Sequence, residues 1–179
     1  TGGTLSFAGG LTVGGTGSMS VLDSILSVKQ NLNFTSASFE TSVLDLQGAT
    51  TLTSNGLVSF KKANLNNKVL TLGSAGTHLK LTDNETLSLN NLALETGAGS
   101  LTLSGPLSLG GSGQLNSTGG TITLASGGSA SSGTTVSLPG STLVLQGGLS
   151  LSGSTLKAGN TTFTTNNKAF SLNNSSILE

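Results

Sequence analysis

Gly99-Ser100-Leu101-Thr102-Leu103-Ser104-Gly105-Pro106-Leu107-Ser108-Leu109 carries two apolar–polar–apolar triplets on either side of a Ser-Gly-Pro break. Alternation of period two is the pattern of a strand with one face buried. Gly and Pro between the triplets mark a bend. The same unit returns in Leu143-Val144-Leu145-Gln146-Gly147-Gly148-Leu149-Ser150-Leu151 and, upstream, in Leu5-Ser6-Phe7 and Leu11-Thr12-Val13. No stretch offers a sustained helical period with caps, so every element reads as a strand of about three to five residues.

The spacing of these runs points to the fold. First runs start at Leu5, Leu26, Leu52, Leu79, Leu101, Ile122, Leu143 and Phe163. The step is about 21 residues, a solenoid period, except for two longer steps, from Leu26 to Leu52 and from Leu52 to Leu79. Second runs follow at Leu11, Leu32, Val58, Leu87, Leu107, Leu149 and Phe170, with a miss in the sixth repeat at Gly127-Gly128-Ser129. Third runs follow at Met19, Phe39, Leu65, Leu92, Leu115, Val136, Leu156 and Ile177. Three short strands per repeat, each repeat burying its apolar residues only against the next, describe a solenoid. The expected architecture is all-β, a parallel β-helix of about eight three-sided coils of about 21 residues each. At roughly 4.8 Å per coil the rod is on the order of 40 Å long.

The linkers between first and second runs agree: Gly9-Gly10, Gln30-Asn31, Asn55-Gly56, Gly105-Pro106, Gly147-Gly148 and Asn166-Asn167. Gly and Asn suit bends with a left-handed residue. A trimeric fibre or a sandwich of short strands gives similar runs but does not predict the return of one linker type once per repeat. The apolar stretches Val43-Leu44-Asp45-Leu46 and Val69-Leu70-Thr71-Leu72 lie in the two long repeats and read as bulges or protruding loops. Residues 1–179 read as a single solenoid. Because the chain opens on Thr1 and closes on Leu178-Glu179 without a polar cap, it is expected to be a segment of a longer polypeptide.

Chemical groups are sparse. Fourteen of 179 residues are charged: seven Lys, three Asp and four Glu, with no Arg and a formal net charge of zero. An ordinary soluble domain carries roughly a quarter charged residues. A zero balance without Arg lacks the electrostatic footprint for nucleic acid or an acidic membrane. The chain has no Cys, hence no disulfide or zinc-thiolate site. No apolar run approaches the ~20 residues of a bilayer span. A β-helix acting on polysaccharides would need paired carboxylates or a basic residue, with aromatic rings to stack on sugars, and Arg, Trp and Tyr are all missing. The expectation is therefore no enzyme and no cofactor. Asp23, Asp45 and Asp83 are out of phase with one another, which speaks against a calcium ladder.

Eleven of the 14 charges lie between Asp23 and Glu95, and none between Thr96 and Thr155. The local cluster is His78, Lys80, Asp83 and Glu85; His78 and Lys80 flank Leu79 and should point outward. With Lys61, Lys62 and Lys68 these residues form the candidate contact region, because they break an otherwise uniform surface. A second candidate face comes from residues flanking the inward first-run positions: Thr51, Thr53, Thr102, Thr121, Thr123, Thr142, Thr162 and Thr164. A flat array of Thr-x-Thr pairs at coil spacing resembles the ice-binding face of antifreeze solenoids, although Thr is also simply a good outward strand residue.

Gly99–Leu109 and Leu143–Leu151 resemble the Leu-x-Leu and Gly-Gly-x-Leu-x-Leu repeats of bacterial surface β-helices, namely filamentous haemagglutinin-type adhesins and autotransporter passenger domains. The resemblance covers nearly the whole chain at the level of pattern. It implies a secreted, surface-displayed rod in adhesion, biofilm or cell contact, with host or neighbouring cells, or other copies, as partners. It carries over no binding residues, since these families share a scaffold and not a site. Open strand edges at the end coils also suit end-to-end assembly into a filament, as in the bactofilin class.

Overall fold

The computed structural model describes residues 2–14, 19–35 and 37–179; Thr1 lies outside them. All described elements are strands, and they wind into a parallel β-solenoid of about eight turns. Three sheets form its walls. Wall A is a ten-stranded sheet that includes Ala37–Leu46, Leu57–Asn64, His78–Leu81, Ser100–Leu103, Thr121–Leu124, Thr142–Leu145 and Thr162–Thr164. Wall B has nine strands, from Leu11–Val13 through Thr50–Ser54, Leu70–Leu72 and Ala93–Gly97 to Ile177–Leu178. Wall C has five: Leu87–Asn90, Leu107–Gly110, Gly128–Ala130, Leu149–Ser152 and Phe170–Asn173.

Register follows from burial. A one-residue slip would turn every inward side chain to solvent, so like stacks on like. Val58, Leu79, Leu101, Ile122, Leu143 and Phe163 form one column, each paired with the next. Leu32 pairs with Leu52 and Leu115 with Val136 in wall B. Leu26, Leu44, Leu79, Leu101 and Ile122 are fully buried in the single core that runs the length of the rod. Each such side chain contributes about 1.5–3 kcal/mol on burial.

The register departs from the sequence reading in the first half. Leu5 and Leu26 do not belong to the column of Leu79: Leu5 pairs with Leu26 and Leu26 with Leu44, while Leu52 sits in wall B. The two long steps around Leu52 therefore do not exist as coils. The shortest steps in the ladders take Met19 to Ala37 and Ile25 to Val43, and the longest takes Leu70 to Leu94; the others fall between. Val43–Leu46 is no protruding loop but the second half of strand Ala37–Leu46, with Leu44 and Leu46 buried. Leu70–Leu72 is likewise a regular strand of wall B. The physical reason is a missing corner. The long strands Ala37–Leu46 and Leu57–Asn64 run through the position where later coils bend, the first with a shift of register between Phe39 and Val43.

The gap expected in the sixth repeat is also filled. Gly128–Ala130 is a strand in register with Leu107–Leu109 and Leu149–Leu151. It escapes the apolar pattern because Gly128 and Ala130 stand where its neighbours carry Leu. A Cβ on Gly128 would lie 2.6 Å from the Leu107 carbonyl oxygen, so the backbone itself fills the position.

The corners are closed in two ways. Of the linkers read as left-handed bends only Asn166-Asn167 takes positive φ; Gly9-Gly10, Gln30-Asn31, Asn55-Gly56, Gly105-Pro106 and Gly147-Gly148 do not, and the left-handed residues elsewhere include Asn91, Asn160 and several glycines. Buried hydroxyls do the rest. Thr77 Oγ1 accepts from the Ser54 N–H at 2.9 Å and donates to the Ser54 carbonyl at 3.2 Å. Ser141 Oγ donates to Ser117 Oγ at 2.9 Å and accepts from the Gly119 N–H at 3.0 Å. These residues satisfy buried backbone groups where the chain leaves one wall for the next. At the ends of the rod, Leu5, Phe163, Leu172, Ile177 and Leu178 are exposed on the outermost coils.

Candidate functional site

Among the described residues, wall C begins abruptly. The polar stretch Thr82-Asp83-Asn84-Glu85-Thr86 still follows the coil before it at first, with the Thr82 N–H on the Phe60 carbonyl at 2.9 Å and the Asp83 N–H on the Lys61 carbonyl at 2.8 Å. The chain then turns away. Leu87–Asn90 pairs forward with Leu107–Gly110, whereas Lys62–Asn64 of the preceding coil pairs back onto Val43–Asp45. Between these two strands the wall is open.

A cavity of about 80 Å³ occupies this break. Leu81, Leu87 and Leu103 supply its apolar floor and Ala63 one side; Lys61, Lys62, Asp83 and Glu85 form the rim. Lys62 Nζ donates to Glu85 Oε2 at 2.9 Å, and Lys61 Nζ stands 3.9 Å from Asp83 Oδ2. The lysines come from one coil and the carboxylates from the next, so both pairs cross the mouth. The hydrogen bond and charge of Glu85 raise Lys62 above the ordinary lysine value. Solvent screening keeps exposed pairs of this kind weak.

The structure thus gathers four of the seven residues of the expected contact region: Lys61, Lys62, Asp83 and Glu85. Lys68 lies apart, in the turn where its N–H bonds the Leu65 carbonyl. His78 and Lys80 face outward from wall A around the buried Leu79, as expected. The apolar floor had a signal in the chain. Five polar residues separate Leu81 from Leu87, against three residues at the corners before Leu107, Gly128 and Leu149. A longer corner at the start of a wall leaves space beneath it. Among the described residues no three His, Asp or Glu side chains come together as a metal-ligand set.

His78 Nε2 is 2.9 Å from Thr102 Oγ1 on the next coil. Burial, and then the charge of Lys80, hold its imidazole below the ordinary histidine value. A lowered value in the native state means that the neutral ring stabilises the fold above the unfolded value near 6.5, and that this contribution is lost as pH falls through the folded value. The urea midpoint should therefore drop between about pH 7.5 and pH 5.5, and H78Q should flatten that drop. An equal slope in H78Q would mean that other groups carry it.

Wall A presents the second candidate face. Ser100 and Thr102, Thr121 and Thr123, Thr142 and Val144, and Thr162 and Thr164 flank inward residues on four successive coils. Pairing aligns them: Thr121 with Thr142 and Thr162, and Thr102 with Thr123, Val144 and Thr164. Thr51 and Thr53 are not part of this array. They belong to wall B, where Thr51 pairs with Thr71 and Thr53 with Asn33. The coil that precedes the array on wall A presents His78 and Lys80, and before it Leu57 is exposed while Ser59 is buried.

No protein-family model, no curated protein and no solved structure matches the chain.

Proposed function

We propose that this solenoid is a structural and adhesive rod segment of an extracellular bacterial surface protein, with a mechanical role and not a catalytic one. The observation that carries the reading is the continuity of walls A and B, whose hydrogen-bonded ladders run through every coil and make a stiff spacer. The surface supports it too. From Thr96 to Thr155 the chain carries no charge, while four of the eleven charges between Asp23 and Glu95 meet at one cleft. A rod of this kind projects or presents a contact region, here Lys61, Lys62, Asp83 and Glu85, toward a host or neighbouring cell.

Beads coated with the chain should adhere to bacterial or host cells more than bare beads do, and K61S/K62S/K68S should reduce adherence several-fold. Unchanged adherence by the triple variant would remove the lysines from the contact region. Adherence no greater than that of bare beads would overturn the adhesive role.

The aligned hydroxyl face of wall A favours a second reading, ice binding. Its four coils set Thr and Ser side chains, interrupted at Val144, in a two-dimensional lattice about 4.8 Å apart between coils. Ice crystals grown with the chain should be faceted, and T121K/T123K/T162K/T164K should restore the unfaceted habit. Faceting that survives the quadruple variant would exclude this face.

A further inference from the structure

We propose that the break in wall C is a strand-acceptor site. An extended peptide segment of a partner protein lies along the outer edge of Leu87–Asn90 and places one apolar side chain in the cavity beneath it. The proposal deepens the contact region described above and rests on the adhesive reading only for the source of the partner.

The backbone supplies the first argument. The Leu87 N–H bonds the Pro106 carbonyl at 2.9 Å and the Asn91 N–H the Gly110 carbonyl at 3.1 Å, both toward the next coil. Alternate residues of a parallel strand bond to opposite sides. Ser88 and Asn90 therefore direct their N–H and C=O groups the other way, and both residues are exposed. On the facing side the Lys61 carbonyl already bonds the Asp83 N–H, so Ala63, two residues on, also directs its backbone groups into the gap. Strand edges of this kind recruit a further strand.

The cavity supplies the second. Leu81, Leu87 and Leu103 floor about 80 Å³, room for roughly five water-sized groups, or the bulk of one aliphatic side chain. A guest strand alternates, so one residue points in while its neighbours point out over the rim.

The rim supplies the third. Its cations stand on one lip and its carboxylates on the other. A guest whose inward residue is flanked by an acid on one side and a base on the other exchanges one exposed rim pair for two new ones, its acid on the freed lysine and its base on the freed carboxylate, and leaves the other rim pair in place. No charge is left unpaired in the exchange. The partner is thus an alternating segment with the local pattern acid–apolar–base or its reverse, since the order depends on the direction in which the guest runs.

Fluorescein-labelled synthetic nonapeptides of alternating Thr and Val, centred on Glu-Val-Lys or on Lys-Val-Glu, would be titrated with the whole chain by fluorescence anisotropy. One order is expected to bind at least tenfold more tightly than the same peptide with its central Val replaced by Pro. S88P removes one N–H from the open edge and leaves the bonds to the next coil intact, as edge positions tolerate. A63F fills the cavity. Each should weaken binding at least tenfold, with A63F deciding if S88P unfolds. No saturable binding of either peptide overturns the proposal, as does undiminished binding by a folded A63F. Because peptide binding is read on the isolated rod and adhesion on cells, the failure of either is seen separately from the other.

Discussion

Replacing Phe39 with alanine should cost about 3–5 kcal/mol, the range for a buried phenylalanine whose cavity cannot collapse. Phe39 is fully buried and stacks on Phe60 of the next coil, with ring centroids 4.7 Å apart and planes within 4° of parallel. Phe34 packs against it too, tilted, with centroids 5.3 Å apart. Truncation removes both contacts, each aromatic pair adding about 0.5–1.5 kcal/mol beyond area burial. The surrounding backbone is held in the ladders of walls A and B and has little freedom to close the void. Denaturant titration of F39A, F60A and the double variant checks this. The double variant should lose less than the sum of the singles, because the second substitution enlarges a cavity already made. Additive losses would show that the rings act independently.

Gly120→Ala should cost about 3 kcal/mol, near the top of the range for overpacking. A Cβ on Gly120 would overlap the Gly99 carbonyl oxygen of the coil below, well inside the 3.0 Å that real Cβ atoms keep, and that contact is backbone on both sides. No rotamer relieves it; the corner itself must move, and with it the Thr142 N–H bond to the Gly120 carbonyl at 2.9 Å. Gly9→Ala is the matched control. A Cβ there meets nothing within 4 Å, so the change should be neutral or stabilise by about 0.4–1 kcal/mol through the unfolded chain. Similar losses at both positions would show that flexibility, and not close approach, is what these glycines provide.

That contrast also marks where the sequence could be read. Gly105 and Gly147, taken as left-handed bends, do not have positive φ. A Cβ at Gly105 would overlap the Glu85 carbonyl oxygen, and one at Gly147 the Ser126 carbonyl carbon. Their position was legible and their reason was not, because contact between coils is invisible along a single chain. From Leu79 onward each corner is punctuated by polar or Gly-rich residues, and the register of wall A follows from spacing alone; in wall B Leu115 pairs with Leu94 and not Leu92, and Leu156 with Leu178 and not Ile177. Before Leu79 the bend between walls A and C is made inside a strand, across Glu40-Thr41-Ser42 and Lys61-Lys62, and Ser42 is wholly buried. Without punctuation, two walls read as one, and the spacing of the runs shows two false long steps around Leu52.

The charged cluster was legible as composition and only partly as geometry. Lys61 and Asp83 are a full coil apart in sequence and meet because the ladder sets one above the other. The run spacing between Leu52 and Leu79 does not follow the ladder, so that meeting is not legible along the chain. The Thr array shows the same dependence. Thr102, Thr121, Thr123, Thr142, Thr162 and Thr164 fall in the correctly stepped half and share a face; Thr51 and Thr53 fall in the other half and do not.

Walls A and B pass the break without interruption, while wall C starts only beyond it, and this asymmetry governs how the rod bears a pull along its axis. Tension along a solenoid loads the bonds between coils and not the strands themselves. A coil that peels away frees about 21 residues, roughly 70 Å of chain, where it had spanned about 4.8 Å. Extension therefore comes in long, discrete increments from a short object. At the junction of Lys62–Asn64 and Leu87–Asn90 two ladders carry the load that three carry elsewhere in the second half. Under force the rod first bends open on that side, and a strand seated there would act as a splint.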